Sequence, residues 1–279
     1  MRIVDTKEVE NLIYRMAMEA GVSLTDSCKK ALYAAHDKEA EGAAKFALGT
    51  LCDNFELAES RDMPVCQDTG MAVVIMEIGQ QIFLEGAPLR DAVDNGVRRA
   101  YKDGYFRKSV CDPITRQNTG DNTPAVLHTE IVPGERISIT FMPKGFGSEN
   151  MSRVYMLKPA QGVDGIIDVI TETVKIAGSR PCPPVIVGVG IGGSFDTCTM
   201  LAKKALARDL GLHSSRQDIA DIERRALERI NDLNIGCQGF HGKITALGVN
   251  CEWAPTHIAG LPVAINIQCH CMRCRKEVL

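Results

Sequence analysis

The chain has 279 residues, 45% of them hydrophobic and 24% charged, with a formal net charge of −3. That is globular composition with room for a sizeable core, and it excludes a disordered chain. With no basic block, nucleic acid is not expected as a partner, and no apolar run is long enough to cross a membrane.

The N-terminus, "MRIVDTKEVENLIYRMA", is amphipathic and acidic, unlike a signal or transit peptide. A cytoplasmic location is therefore expected. Residues 6–60 read as helices: "EVENLIYRMAMEAG", "TDSCKKALYAAH" and "EAEGAAKFALGTLCDNFELAES" carry apolar residues at i, i+3 and i+4. "MPVCQDTG" leads into a strand, "MAVVIMEIG", and then a helix, "PLRDAVDNGVRRAYKDG". The polar stretch "FRKSVCDPITRQNTGDNTP" is long for a structureless loop, and such loops are usually functional.

"AVLHTEIVPGERISITFMPKG" reads as a hairpin about Pro133-Gly134. A helix ("GVDGIIDVITETVKIAG"), a strand ("PPVIVGVGIGG") and a helix ("TCTMLAKKALAR") follow. "SSRQDIADIERRALERINDLNIG" opens with a Ser215–Asp218 capping box, and "KITALGVNCEWAP" and "LPVAINIQC" are the last strands. With no repeat and no composition break, one domain over residues 1–279, with up to two lobes, is expected. Its class is mixed α/β: a helical N-terminal segment, then mixed sheets covered by helices.

Two motifs invite other readings. "GVGIGG" (Gly188 to Gly193) matches G-x-G-x-x-G between a strand and a helix. A dinucleotide site also needs a strand ending in an acid about twenty residues on, and that distance lands on "ARDLGLHSSRQD", a helix end and loop. The glycine-rich turn still suits an anionic ligand. "QCHCMRC" offers Cys271 and Cys274 beside Cys269 and His270 as a zinc half-site, but no second C-x-x-C completes four ligands.

Eleven cysteines in a reducing compartment are core filler, nucleophiles or metal ligands. Cys28, Cys52, Cys198 and Cys237 fall in apolar helical patterns and are expected to be filler. Cys66, Cys182 and Cys269 instead lie at the edges of apolar strands, far apart in the chain. Three thiolates on a cubane cluster leave one iron without a protein ligand, open to substrate.

"PVCQDTG", "FRKSV…NTGDNTPA", "KGFGSENMS", "CPPVIVGVGIGG" and "THIAGLPVAINIQCH" together resemble the α subunit of two-subunit class I fumarate hydratases and of their relative L-tartrate dehydratase. The resemblance runs over nearly the whole chain in the family's order. It implies an oxygen-sensitive [4Fe-4S] hydro-lyase with Cys66, Cys182 and Cys269 as ligands. Asp68 is implied as the acid that protonates the substrate hydroxyl, Arg107 as the clamp on a substrate carboxylate, and His257 as a further active-site residue. Gln67, Asn118 and Thr119 are implied as substrate contacts.

"FRKSV", "TPAVLH" and "THIAGLPVAINIQCH" are closer to fumarase than to tartrate dehydratase α subunits, so the expected C4 dicarboxylates are fumarate and L-malate, with L-tartrate the alternative. In single-chain relatives a β-like domain supplies the base. Only ten residues follow Cys269 here, so a separate β subunit in an α2β2 heterotetramer is expected. A non-catalytic regulator binding zinc or a cluster is the rival from another class.

Overall fold

In the computed structural model, which describes residues Met1–Leu279, helix α1 (Thr6–Val22) begins where the Asp5 carboxylate accepts the Lys7 amide at 2.8 Å. Its apolar residues fall on one stripe, so Val9, Leu12, Ile13, Met16, Ala17 and Ala20 are all buried. The chain divides into two compact units, the first comprising Met1–Leu24, Phe55–Phe146 and Arg273–Leu279, the second Thr25–Asn54 and Gly147–Met272.

The first unit is built on a four-stranded sheet ordered β10-β5-β2-β4: β2 is Met71–Gly79, β4 Val126–Val132, β5 Ile137–Lys144 and β10 Arg275–Val278. β2 is nearly continuous in its burial, as a central strand must be, whereas the edge strand β4 exposes Thr129, Glu130 and Ile131. Helix α4 (Leu89–Asp103) lies so close to α1 that a Cβ on Gly96 would come within 2.6 Å of the Glu10 carbonyl. Two short parallel strands, β1 (Arg2–Asp5) and β3 (Ile82–Glu85), form a separate ribbon.

The second unit has the sheet β6-β9-β7-β8, with β6 Arg153–Leu157, β7 Val185–Gly192, β8 Ala246–Ala254 and β9 Leu261–Gln268. Its helices are α2 (Asp26–Lys38), the first part of α3 (Ala43–Ser60), α6 (Gly162–Ala177), α7 (Phe195–Leu206) and α8 (Gln217–Asn231). A short helix, α5 (Phe146–Glu149), begins at the last residue of one unit and continues into the other. Val187, Val189, Val263, Ile265 and Ile267 fill the core with Ile167, Ile170 and Ile222. No helix is long and apolar enough to cross a membrane.

The mixed α/β class and the long helices agree with the sequence, but two local expectations do not. Strands β4 and β5 are not a hairpin. β2 lies between them, parallel to β4 and antiparallel to β5, because its run of apolar residues claims the central position. The Ser215–Asp218 capping box is absent. α8 starts after Arg216, whose guanidinium takes the Asp218 carboxylate and stacks 4.4 Å from the Trp253 ring centroid. The first two glycines of "GVGIGG" have a packing role. A Cβ at Gly188 would stand 2.4 Å from the Ala202 carbonyl, and one at Gly190 only 1.9 Å from that of Cys198. They let α7 settle on β7.

Gly190→Ala should therefore lower stability by about 1–3 kcal/mol or more, read as a fall in the urea midpoint. Gly49→Ala in α3 is the control. Its added Cβ meets nothing closer than His36 Nε2 at 3.6 Å, and it should gain roughly 0.5–1 kcal/mol.

Candidate active site

In the first unit the chain leaves α3 at Ser60 and enters β2 at Met71 through an irregular turn. Val65 anchors the start of the turn, buried and with its amide on the Gly21 carbonyl at 3.1 Å. Cys66 follows, half-buried, with Sγ 3.4 Å from Oε1 of the exposed Gln67. Asp68 comes next. Its Oδ1 accepts the Gly70 amide at 3.0 Å and its Oδ2 the Phe146 amide at 2.9 Å, so the carboxylate has one fixed orientation.

That second bond depends on a residue to which the sequence assigned no role. A Cβ on Gly145 would lie 3.0 Å from Asp68 Oδ2, and its absence lets the carboxylate lie against the backbone after β5. Gly70, at φ +80°, is equally constrained, since a Cβ there would meet the Lys144 amide nitrogen at 2.7 Å.

Arg107 is exposed and forms no salt bridge with the chain, while its carbonyl accepts the Thr69 hydroxyl at 2.8 Å. The loop it begins is ordered by its own polar groups. Asp112 Oδ1 takes the amides of Ile114 and Thr115 at 2.9 and 2.7 Å. Asn118 Nδ2 donates to the Lys108 carbonyl at 2.9 Å, and the Thr119 hydroxyl to the Val110 carbonyl at 3.3 Å. Both of the latter side chains thus spend hydrogen bonds on shaping the loop. Asp121 anchors its far end. Burial opposes the charge on Asp121, but Arg98 at 2.7 Å and two bonds from Thr123 outweigh it and hold the carboxyl at about 2.

In the second unit Cys182 is exposed, just before β7, at φ +55°. Cys269 is half-buried, just after β9. The antiparallel pairing sets Ile186 opposite Gln268, which puts both cysteines at one end of the sheet. There His270 Nδ1 donates to the Cys182 carbonyl at 3.0 Å, and the Cys28 thiol donates to the His270 carbonyl at 3.0 Å. His257 is not at that end. It precedes β9, beyond the Ile191–Val263 pair, which lies roughly 17 Å from the Ile186–Gln268 pair at about 3.3 Å per residue. Its imidazole is exposed, with Nδ1 accepting the Ala259 amide at 3.2 Å.

Of eleven free cysteines, seven are buried, including Cys28, Cys52, Cys198 and Cys237 as expected of filler, and also Cys271 and Cys274. Burial pushes the Cys28 and Cys237 thiols up to about 12, so both stay protonated. Only Cys66, Cys111, Cys182 and Cys269 are open to the outside. Thiolates of this kind are soft donors that suit zinc or an iron–sulfur cluster. No three His, Cys, Asp or Glu side chains are placed to hold a single metal ion.

Accessible thiols, an oriented carboxylate and an unpaired guanidinium are equipment for metal-assisted chemistry on an anionic substrate. The comparisons narrow this. The family model described as fumarate hydratase (Fumerase) matches residues 10–278, and the chain belongs to that family. A protein of Methanocaldococcus jannaschii named "Putative L(+)-tartrate dehydratase subunit alpha" is 40% identical over 268 residues, 94% of each chain. The L(+)-tartrate dehydratase subunit alpha of Escherichia coli K12 is 30% identical over 237 residues, 84% of this chain and 78% of its own. That of Shigella sonnei matches to the same extent.

The exposures predict how the reduced, metal-free protein meets a thiol reagent. Cys66, Cys111, Cys182 and Cys269 should react in the native state and the other seven only on unfolding. Labelling followed by peptide mass analysis checks this. Fast native labelling of Cys271 or Cys274 would contradict the assignment.

Proposed function

We propose that this chain is the α subunit of an iron–sulfur hydro-lyase acting on C4 dicarboxylates, with fumarate and L-malate as its substrate pair. The observation that carries the reading is the division of thiols: Cys66, Cys182 and Cys269, the family's ligand positions, are three of the four that burial leaves open. These three would hold a [4Fe-4S] cluster. When bound, it supplies a Lewis-acid iron with a position free for substrate oxygen.

The chain's own residues provide the rest of one half-reaction. Arg107 takes a substrate carboxylate through its two parallel N–H groups. Gln67 hydrogen-bonds the substrate beside Cys66. Asn118 and Thr119 contribute where they shape the loop that carries Arg107. Asp68, held by two backbone amides, gives its proton to the hydroxyl of malate as the C–O bond breaks and water leaves. The matching step is loss of a proton from the neighbouring carbon, which leaves its electron pair to form the double bond. A base on a separate β subunit takes that proton.

His257, at the far end of its own sheet, would reach a substrate at the Cys182–Cys269 end only from another copy of the chain, and an α2β2 assembly contains two. L-tartrate is the second reading, favoured by the names of the M. jannaschii and E. coli relatives. It is likewise a C4 dicarboxylate bearing a hydroxyl next to a carboxylate. A cytoplasmic location suits a cluster that air destroys.

The test is anaerobic reconstitution of the chain with and without its β subunit, assayed with fumarate, L-malate and L-tartrate. The α chain alone should take up a cluster and turn over little, because one positioned acid–base group is typically worth about 10²–10⁴ in rate. The partner should restore turnover. Cys66→Ser, Cys182→Ser and Cys269→Ser should each abolish the broad visible absorbance, while Cys28→Ser and Cys237→Ser leave it intact. Full activity of the α chain alone would place the base in this chain, and a cluster surviving all three substitutions would refute the ligand assignment.

A further inference from the structure

The turn that carries Asp68 has three consecutive backbone carbonyls, and a side chain from elsewhere in the first unit reaches each of them. Arg273 Nη2 donates to the Asp68 carbonyl at 2.9 Å. The Tyr101 hydroxyl meets the Thr69 and Gly70 carbonyls at 2.7 and 3.0 Å. Asn122 Nδ2 donates to the Gly70 carbonyl at 3.2 Å. The other end of the Asn122 amide, Oδ1, accepts the amides of Ser109 and Val110 at 2.7 and 3.3 Å. One asparagine thus ties the Asp68 turn to the segment that follows Arg107.

These donors are costly to place. Tyr101, Asn122 and Arg273 are all buried, and a buried guanidinium is among the least favourable groups in an interior. Packing alone does not call for the hydroxyl of Tyr101. Its ring meets Phe106 edge-on at 5.5 Å, a contact that phenylalanine would make equally well. Burial also pushes the phenol well above its usual range, so the group serves as a proton donor in hydrogen bonds.

We propose that Tyr101, supported by Asn122 and Arg273, is a positioning residue that fixes the Asp68 turn and the Arg107 segment in one geometry. It touches no substrate and acts through the turn. The proposal rests on the roles given above to Asp68 and Arg107. A displacement of about 1 Å at such groups can cost on the order of 10² in rate.

The test uses the reconstituted complex of α and β chains and, separately, backbone-amide exchange in the α chain. Tyr101→Phe keeps the ring and removes both hydrogen bonds. It should lower kcat by roughly 10- to 100-fold, with cluster absorbance retained and KM little changed, because the Asn122 tie to the Arg107 segment remains. The Gly70 and Phe146 amides, which both donate to Asp68, should exchange faster. Asn122→Ala should raise KM as well, since it also frees the Arg107 segment. Asn122→Asp, which sets a carboxylate oxygen against the Gly70 carbonyl where the donor was, cuts the same tie and should likewise change both kcat and KM.

A Tyr101→Phe enzyme with wild-type kcat and only a lower melting point would overturn the proposal. So would unchanged exchange at Gly70 and Phe146, whatever the activity. If the wild-type complex fails on all three substrates, the functional reading falls, and the exchange measurement still decides whether the clamp exists.

Discussion

An irregular stretch of backbone that passes through a protein interior must find hydrogen-bond partners outside any ladder. Leaving a buried carbonyl unpaired costs free energy comparable to a lost hydrogen bond. The turn from Cys66 to Gly70 lies under this constraint. It has left α3 and has not yet joined β2, and Thr69 and Gly70 are buried. Tyr101, Asn122 and Arg273 meet the demand, and the positions of Asp68 and Arg107 follow from theirs. A helix would have satisfied the same carbonyls locally, but it would have turned Cys66, Gln67 and Asp68 to different sides. The irregular turn leaves Gln67 exposed, at the expense of three buried donors drawn from distant parts of the chain.

The cysteines show burial sorting one residue type into two chemistries. A thiol inside an apolar core stays protonated and packs as a small hydrophobe, as Cys28, Cys237 and Cys251 do under the upward push of burial. Cys28 also has a positioning contact, since its bond to the His270 carbonyl steadies the segment just after Cys269. A buried cysteine thus supports the segment that bears an accessible one. Within "QCHCMRC" the same sorting puts Cys271 and Cys274 inside and leaves Cys269 accessible.

What could be read from the sequence follows the range of the forces involved. Helices α1, α6 and α8 announce themselves because their apolar stripes are periodic and local. Strands β2, β7 and β9 do so because both of their faces are buried. Pairing order was not legible: the Pro133-Gly134 turn looks like a hairpin, and nothing local says that β2 will come between its arms. The close approach of α7 to β7 was equally hidden, so the glycines that permit it resembled a ligand motif. At the candidate site the chemistry-bearing residues were readable as motifs. Gly145, Tyr101, Asn122 and Arg273 were not, since their roles exist only once distant segments meet. A glycine that makes room for a carboxylate 77 residues earlier leaves no periodicity behind.

Backbone conformation bears on two of these residues. Cys182 and Asn122 both sit at positive φ, +55° and +63°, where a glycine would be at ease and an ordinary L residue costs about 1–2 kcal/mol. Asn tolerates this region better than most residues, and at position 122 both ends of its amide are used, which glycine cannot imitate. Cysteine has no such tolerance. Gly178 takes the same sign of φ, +57°, at the end of α6, while Tyr105, Arg116 and Gln238 show that the chain also tolerates larger side chains at φ between +52° and +62°. A thiol stands at this position, and it is the one fully exposed cysteine of the eleven. Its exposure leaves the sulfur accessible, as the ligand role proposed for it above requires.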